Sequence, residues 1–432
     1  MQALEGWEAP LDRQVVELES MLIETRRHLH AHPEPSREER ETSRYLHQRL
    51  RDVGISARLG RNGLGVIADL DIGEPAPNSP RIAIRADIDA LKLPDAKTVP
   101  YASTRPGLCH ACGHDAHSTI VLGSALALVG LRDNGLVPGH AVAGLRLRYI
   151  FQPAEESAEG GFWMVEQGAV DGCAAILGLH VDPERTLGTV GIRYGALTAN
   201  CDEVEILIEG KGGHSARPHH TLDPIAAAAS LVTSLYQHLP RAVDARNPSV
   251  FSVGKIAGGS LPNVIPGRVE ILGSLRTQDP ETRQKLKNRI EAIVHGVKEI
   301  SGAQMHLRFF ESIDGVVNDE RITGALETAS RSVLGDAGIV RIPQASMGGE
   351  DFSAYLTRVP GAMLRLGIAP PGFTAPFLHA TNFDIDERAL SIGIRILLRA
   401  ALLLTASSPH SNDGATPAVV GSGESARQDN QA

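Results

Sequence analysis

Two hydrophobic periods alternate along the chain, and the place where their order changes divides it. Leu11 to His30 carries Val15, Leu18, Leu22 and Leu29 at helical spacing, which predicts an amphipathic helix. The stretch His32-Pro33-Glu34-Pro35-Ser36 ends it. Ser36 then stands as the cap of a second helix that carries Glu39 and keeps Tyr45, Leu46 and Leu50 on its apolar side. Gly63 to Asp71 and Arg81 to Ala86 read as buried strands, with Gly73 to Pro80 as a loop between them. Helical spacing returns from Asp115 to Leu128, and Leu145–Phe151 and Ala174–Leu179 are strands. Such alternation predicts an α/β unit with a mostly parallel sheet.

Near Thr198 the pattern changes. Asp202 to Glu209 alternates, Asp223 to His238 is helical, and Ser249–Ala257 and Val269–Arg276 alternate again. Thr282 to Ile300 is helical and Met305 to Phe309 is a last alternating segment. Strand-helix-strand-strand-helix-strand describes a small α+β sandwich. Because α/β patterning resumes after Glu311, the expected organisation is an α/β part over 1–197, an inserted α+β unit over 198–310 and a second α/β part over 311–405. Residues 406–432 are rich in small polar residues without a period and are expected to be disordered.

Composition narrows the classes. A chain of 432 residues exceeds one hydrophobic core. Its 42% hydrophobic and 22% charged residues are those of a soluble globular protein. The net charge of −9 disfavours nucleic acid and anionic membranes as partners. Met1 to Gln14 is polar, without the basic and apolar regions of a secretory signal. No run of about 18 apolar residues is evident, so no membrane span is expected, and a cytoplasmic location follows as the expectation. Four cysteines are too few for a disulfide scaffold.

The densest chemistry lies in Cys109-His110-Ala111-Cys112-Gly113-His114-Asp115-Ala116-His117. Thiols, imidazoles and a carboxylate in so short a run suit a transition metal; a redox dithiol is the competing reading of Cys109-x-x-Cys112. A structural zinc knuckle would need a second pair at similar spacing, and Cys173 and Cys201 stand alone. The remaining ligands must therefore come from distant loops, as in catalytic sites. Gln152-Pro153-Ala154-Glu155-Glu156 delivers two carboxylates at the end of an apolar strand, where α/β sheets bind ligands. One can bind metal while its neighbour takes a proton; a solvated face is the plainer alternative. His180 ends another apolar strand, His379 lies in a loop, and Gly210-Lys211-Gly212-Gly213-His214 makes a tight turn that projects His214.

In this order the pieces resemble the dinuclear amidohydrolases of the aminoacylase, hippurate hydrolase and indoleacetyl-amino-acid hydrolase group, within metallopeptidase family twenty. The resemblance runs from about Glu24 to Leu404 and includes Arg85-Ala86-Asp87-Ile88-Asp89, Asn263-Val264-Ile265-Pro266 and Gly349-Glu350-Asp351-Phe352. It implies a catalytic domain with an inserted lid and dimerisation domain, and a homodimer or higher homo-oligomer. It further implies two divalent metals (zinc or manganese, with cobalt and nickel compatible) held by Cys112, His114, Glu156, His180 and His379. Glu155 is the implied general base and Asp89 the carboxylate that steers a ligand. Asp87 stands where many relatives have a metal histidine. His214 matches a histidine that reaches the oxyanion from a partner subunit, and Asn263 and Arg276 match positions near a substrate carboxylate. The implied reaction is hydrolysis of N-acyl amino acids to a carboxylic acid and a free amino acid. A dipeptidase or carboxypeptidase of the same clan is the alternative, with a non-catalytic metal-binding protein behind it. Cys109 stands where relatives often have Met and is expected to add sensitivity to oxidation. Phe162, Trp163, Phe373 and Phe377 are candidate aromatic residues near the cleft.

Overall fold

The computed structural model describes residues 4–73, 75, 79–137, 144–372 and 376–406. The expected tail beyond Ala406, Phe373 and part of the Gly73–Pro80 loop lie outside the described residues.

Runs of β-branched and aliphatic residues form the strands β1 (Ser56–Leu59), β2 (Val66–Ile72), β3 (Arg81–Asp87), β4 (Leu145–Gln152), β5 (Cys173–Thr186) and β6 (Val190–Ile192). Within the inserted segment lie β7 (Asn200–Glu209), β8 (Ser249–Ala257), β9 (Arg268–Thr277) and β10 (Gln304–Ile313). Two later strands, β11 (Ile339–Arg341) and β12 (Gly361–Ala369), complete the set used below. The first sheet has the order β1-β2-β4-β3-β5-β12-β6-β11. Its centre, β4-β3-β5-β12, is parallel throughout, and β6 pairs β11 parallel. The β1-β2, β2-β4 and β12-β6 pairs are antiparallel. All seven residues of β3 are buried, as a strand covered on both faces requires.

Helices α1 (Glu8–Glu17), α2 (Glu19–Ala31), α3 (Arg40–Asp52) and α4 (His114–Asp133) precede the insert. The insert holds α5 (Pro224–His238) and α6 (Pro280–Ser301), and α7 (Glu320–Leu334) and α8 (Arg388–Ala406) follow it. Helix α4 packs on β3 and β4 and against α1, α2 and α8. The inserted sheet, β8-β9-β7-β10, is antiparallel. Val204, Ile206 and Ile208 of its inner face meet Leu231, Leu235, Leu286 and Ile290 of α5 and α6. Asp223 and Asp279 cap these two helices by accepting from backbone N–H groups, each just before a proline.

Two expectations are corrected. The helix over Leu11–His30 is two helices that meet at Leu18, where ψ opens to −8°. Ser36 caps nothing: its hydroxyl donates to Asp89 Oδ2 at 2.6 Å, and the residue before α3 is Glu39. Helix α8 is long and apolar enough, by length and composition, to cross a membrane. In the structure its Ile394, Leu397, Leu398 and Ala401 are buried in the core of the first sheet.

Candidate active site

Strands β3, β4 and β5 run parallel, so their carboxyl ends open onto one edge of the sheet, the usual ligand edge of α/β folds. Asp87 ends β3, Gln152 ends β4, and α4 begins at His114. Between Cys112 and His114 the backbone of Gly113 has φ +85°, and a Cβ there would lie 2.4 Å from Val181 Cγ2. Only glycine makes that turn, and the turn aims both flanking side chains at one point.

Each imidazole is oriented by its inner nitrogen. His114 Nδ1 faces the Asp89 carbonyl at 3.0 Å and Asp89 Oδ1 at 3.1 Å. A carbonyl only accepts, so Nδ1 carries the proton. Nε2 is left buried without a hydrogen-bond partner. In the same way His180 Nδ1 donates to the Val181 carbonyl at 2.7 Å, which turns Nε2 to within 3.5 Å of Cys112 Sγ. Glu156 Oε1 is also buried and unpartnered. It lies 3.9 Å from His114 Nε2 and 3.6 Å from His379 Nε2. His379 holds a left-handed φ of 62°, fixed by its N–H on the Ala111 carbonyl at 2.8 Å.

Among the groups of donor atoms that lie within 4.8 Å of one another are Cys112/His114/His180, Cys112/Glu156/His379 and His114/Glu155/Glu156. Unpaired, buried donor atoms converging from several elements are costly unless a cation satisfies them. Cys112 belongs to two of the groups. Burial pushes its thiol well up, and a coordinated cation reverses that by deprotonating it. Burial, and then the Arg365 guanidinium, hold His180 well below the usual imidazole range, in the neutral form that binds metal. The residues present fit two divalent cations.

Asp89 joins the parts. Its Oδ2 accepts from Ser36 Oγ and from the Glu156 N–H at 3.0 Å, while Oδ1 faces His114. Glu155 and Glu156 sit on a loop with left-handed residues at Ala154 (φ 57°) and Ala158 (φ 56°). Such backbone persists only where its surroundings hold it; here the Ala154 N–H donates to Glu39 Oε1 at 2.7 Å. Burial and then Asp89 raise the Glu39 carboxyl to about 8. Glu155 Oε2 lies 3.9 Å from His114 Nε2. Burial, and after it the charges of Glu350, Asp351 and Glu156, push its carboxyl well above the usual range. Beneath the loop, Arg85 contacts Asp87 at 2.7 Å, Asp351 at 3.0 Å and Glu350 at 3.1 Å, and Asp351 Oδ2 accepts the Gly161 N–H at 2.7 Å.

The cleft above the donors encloses about 1140 Å³. Cys112, Glu155, Glu156, His180, His379 and Arg276 line it, whereas His214 and Asn263 of the same chain do not. His214 is exposed and pairs with Val264, and the Ser215 N–H donates to the Asn263 carbonyl, so the two lie together on the insert. Arg276 Nη1 donates to the Met347 carbonyl at 2.9 Å. Phe377, 63% exposed, lines the cleft; Phe162 and Trp163 do not. Inside the opening cluster, His117 accepts the Val181 N–H on Nε2 and therefore donates from Nδ1 to Asp87 at 2.7 Å. Both nitrogens are spent on positioning. The oxidation sensitivity expected of Cys109 is corrected. The residue is fully buried and burial raises its thiol to about 11, so reactive thiolate is scarce.

Several site residues carried no sequence signal of their role. Ser36 and Glu39 read as parts of a helix start, and Arg85 and Asp351 as pieces of motifs without a task. Arg85 alone held a hint, as a charge inside an otherwise apolar strand.

A set of metal donors, buried at Cys112, His114 and His180 and open to the cleft at Glu155, Glu156 and His379, at the strand ends of an α/β domain that carries an inserted α+β unit, fits a metal-dependent hydrolase. The chain belongs to the peptidase family M20/M25/M40, whose model matches residues 83–403. Among its relatives, the hydrolase sll0100 of Synechocystis sp. is 41% identical over 383 residues, 88% of this chain and 94% of that one. The N-acetyl-L-cysteine deacetylase of Bacillus subtilis is 38% identical, covering 91% of this chain and 90% of its own. A solved structure from Bacillus subtilis, the YXEP protein described as a dinuclear metal binding peptidase, matches with a TM-score of 0.76 at 32% identity. That match covers 91% of this chain and 99% of the other.

Proposed function

We propose that this chain is an amidohydrolase with two divalent cations that cleaves N-acyl amino acids to a carboxylic acid and a free amino acid. The observation that carries the reading is the pair of adjacent glutamates. Glu156 presents an orphaned buried oxygen to His114 and His379, while Glu155 stands beside the same donors with its carboxyl raised. Cys112, His114, Glu156, His180 and His379 would hold the cations, zinc or manganese by donor type, with cobalt and nickel compatible. Bound there, the cations supply Lewis acidity, acidifying water and polarising the amide carbonyl.

With cations bound beside it favouring the carboxylate that burial disfavours, Glu155 takes a proton from the attacking water and passes it to the leaving nitrogen as the C–N bond breaks. Asp89 holds His114 in the tautomer that leaves Nε2 free. Arg276 offers its remaining donors to the substrate carboxylate. His214 and Asn263 serve the cleft of a partner subunit in a cytoplasmic homodimer, His214 donating to the oxyanion. Their joint exposure on the insert, away from their own cleft, supports this.

The test is release of free amine from N-acetyl and N-benzoyl amino acids against matched dipeptides, with zinc, manganese and cobalt added in turn. Turnover at least about tenfold faster on the acyl amino acids, lost with a chelator and restored by metal, is expected. Faster turnover of dipeptides would transfer the assignment to a dipeptidase.

A further inference from the structure

A second cationic feature borders the metal donors and has no task in the reaction above. Three arginines line the cleft: Arg185, Arg276 and Arg365. Arg365 lies on β12 directly opposite His180 of β5 and opposite Gly191 of β6. Directly opposed residues on neighbouring strands project to the same face of a sheet, so Arg365 shares the face on which His180 meets Cys112. A Cβ on Gly191 would fall 2.6 Å from Arg185 Nε and 2.8 Å from Arg185 Cζ. The missing side chain of Gly191 is therefore the space in which the Arg185 guanidinium rests, on that same face.

Arg185 has Asp182 at 2.8 Å. Arg365 has no hydrogen bond or ion pair among the described residues. Of the other carboxylates lining the cleft, Asp202 is held by Arg283 and Lys287, Glu350 by Arg85, and Glu156 lies towards His114 and His379, while Glu184 and Glu203 line it without an ion pair to Arg365. Arg365, unpaired beside Arg185 and facing an open cleft at the metal donors, keeps a bidentate donor to spare for an anion.

We propose that Arg365, seated beside Arg185, binds a second carboxylate on the substrate, so that the enzyme selects N-acyl amino acids carrying two carboxylates. This rests on the amidohydrolase reading and names its substrate class. Arg276, on the insert, takes the carboxylate next to the scissile amide, and Arg365, on the sheet, takes the additional one. That group belongs either to an acidic amino acid or to a dicarboxylic acyl chain; both present the same chemistry to Arg365.

Two matched pairs separate the sources. N-acetylglutamate and N-acetylglutamine differ only by carboxylate against amide on the amino-acid side, and N-succinylalanine and N-succinamoylalanine differ likewise on the acyl side. In at least one pair, wild-type kcat/KM is expected to favour the carboxylate member about tenfold or more, chiefly through KM. Arg365→Gln should bring that ratio to within about twofold of one, and Arg365→Lys should hold it between. A wild-type ratio near one in both pairs, or a ratio unchanged in Arg365→Gln, overturns the proposal. Calorimetry of the same compounds on the metal-loaded Glu155→Gln protein, with and without Arg365→Gln, reads the subsite without turnover. If no amide is hydrolysed but the carboxylate members still bind tighter through Arg365, the function reading falls and the subsite stands. If amides are hydrolysed and binding shows no such preference, the reverse holds.

Discussion

At the scale of single residues the site is a set of atoms whose partners are missing within the protein, and each makes a different prediction when removed. Glu155→Gln keeps the shape of the loop and removes the base. Turnover should fall by about a hundredfold to ten thousandfold, while metal content by elemental analysis stays at the wild-type level. Residual activity above about a tenth would remove Glu155 from the proton transfers. Asp89→Asn acts at one remove, because it weakens the grip on His114 Nδ1, Ser36 Oγ and the Glu156 N–H together. Metal affinity should drop about tenfold to a hundredfold, read by competition with a chromophoric chelator; unchanged affinity would show that the backbone carbonyl alone orients His114. The proposed ligands Cys112, His114, Glu156, His180 and His379 and the proposed base Glu155 were legible in the sequence because such groups gathered at strand and helix ends are chemically costly without a task. Their supports were not, because those act over long separations. Glu39 reaches Ala154 across 115 positions and Asp351 reaches Gly161 across 190, and no local spacing announces such a bond.

Elements were legible where one face is buried and less so where an end depends on a distant partner. The alternation of β7 and the helical stripe of α6 follow from a one-sided core, and the structure keeps both. The start of α3 moved because Ser36, a good cap by type, serves Asp89 instead. In the insert the element ends are tied by charge. Asp202, buried at the start of β7, accepts from Arg283 of α6 at 2.7 and 2.8 Å and from Ser312 of β10 at 2.6 Å, with Lys287 at 2.6 Å. Burial acts to raise its carboxyl, but the bonds from Arg283, Lys287 and Ser312 outweigh it and hold the group below its ordinary value. A depressed folded pKa means the ionised form is the stabilising one. Its contribution is complete above the unfolded value of about 3.9 and is lost as pH falls through the folded value. Asp202→Asn leaves two cations facing a neutral group and should cost about 3 kcal/mol near neutral pH. Thermal melts of the two proteins should differ most near pH 7 and converge below about pH 4. A gap that stays constant across that range would mean that packing, not ionisation, carries the effect.

Over the whole molecule the separation between cleft and insert is the feature that one chain alone does not resolve. Cys112, Glu155 and Arg276 share a cleft that His214 does not line. His214 instead stands exposed, its Nδ1 accepting the Ala216 N–H at 3.1 Å, with Nε2 free to donate to a group outside its own chain. Around it the insert exposes Leu222, Ile225, Leu261 and Val264, apolar surface of the kind that marks a protein interface. A site completed across a two-fold dimer accounts for both facts, because each insert then brings its histidine to the other cleft. His214→Ala should lower kcat by about a hundredfold to a thousandfold, the loss of one oxyanion donor. Mixing that variant with Glu155→Gln tests the geometry. In a mixed dimer one cleft has Glu155 of its own and His214 from its partner, and the other cleft has neither. With half the dimers mixed and one complete cleft in each, about a quarter of wild-type activity should return after subunit exchange. If the histidine served its own cleft, every cleft in the mixture would lack one group and activity would not rise above the sum of the two variants. Native mass measurement on tagged subunits confirms that mixed dimers formed, so inactive mixed dimers would refute a shared site.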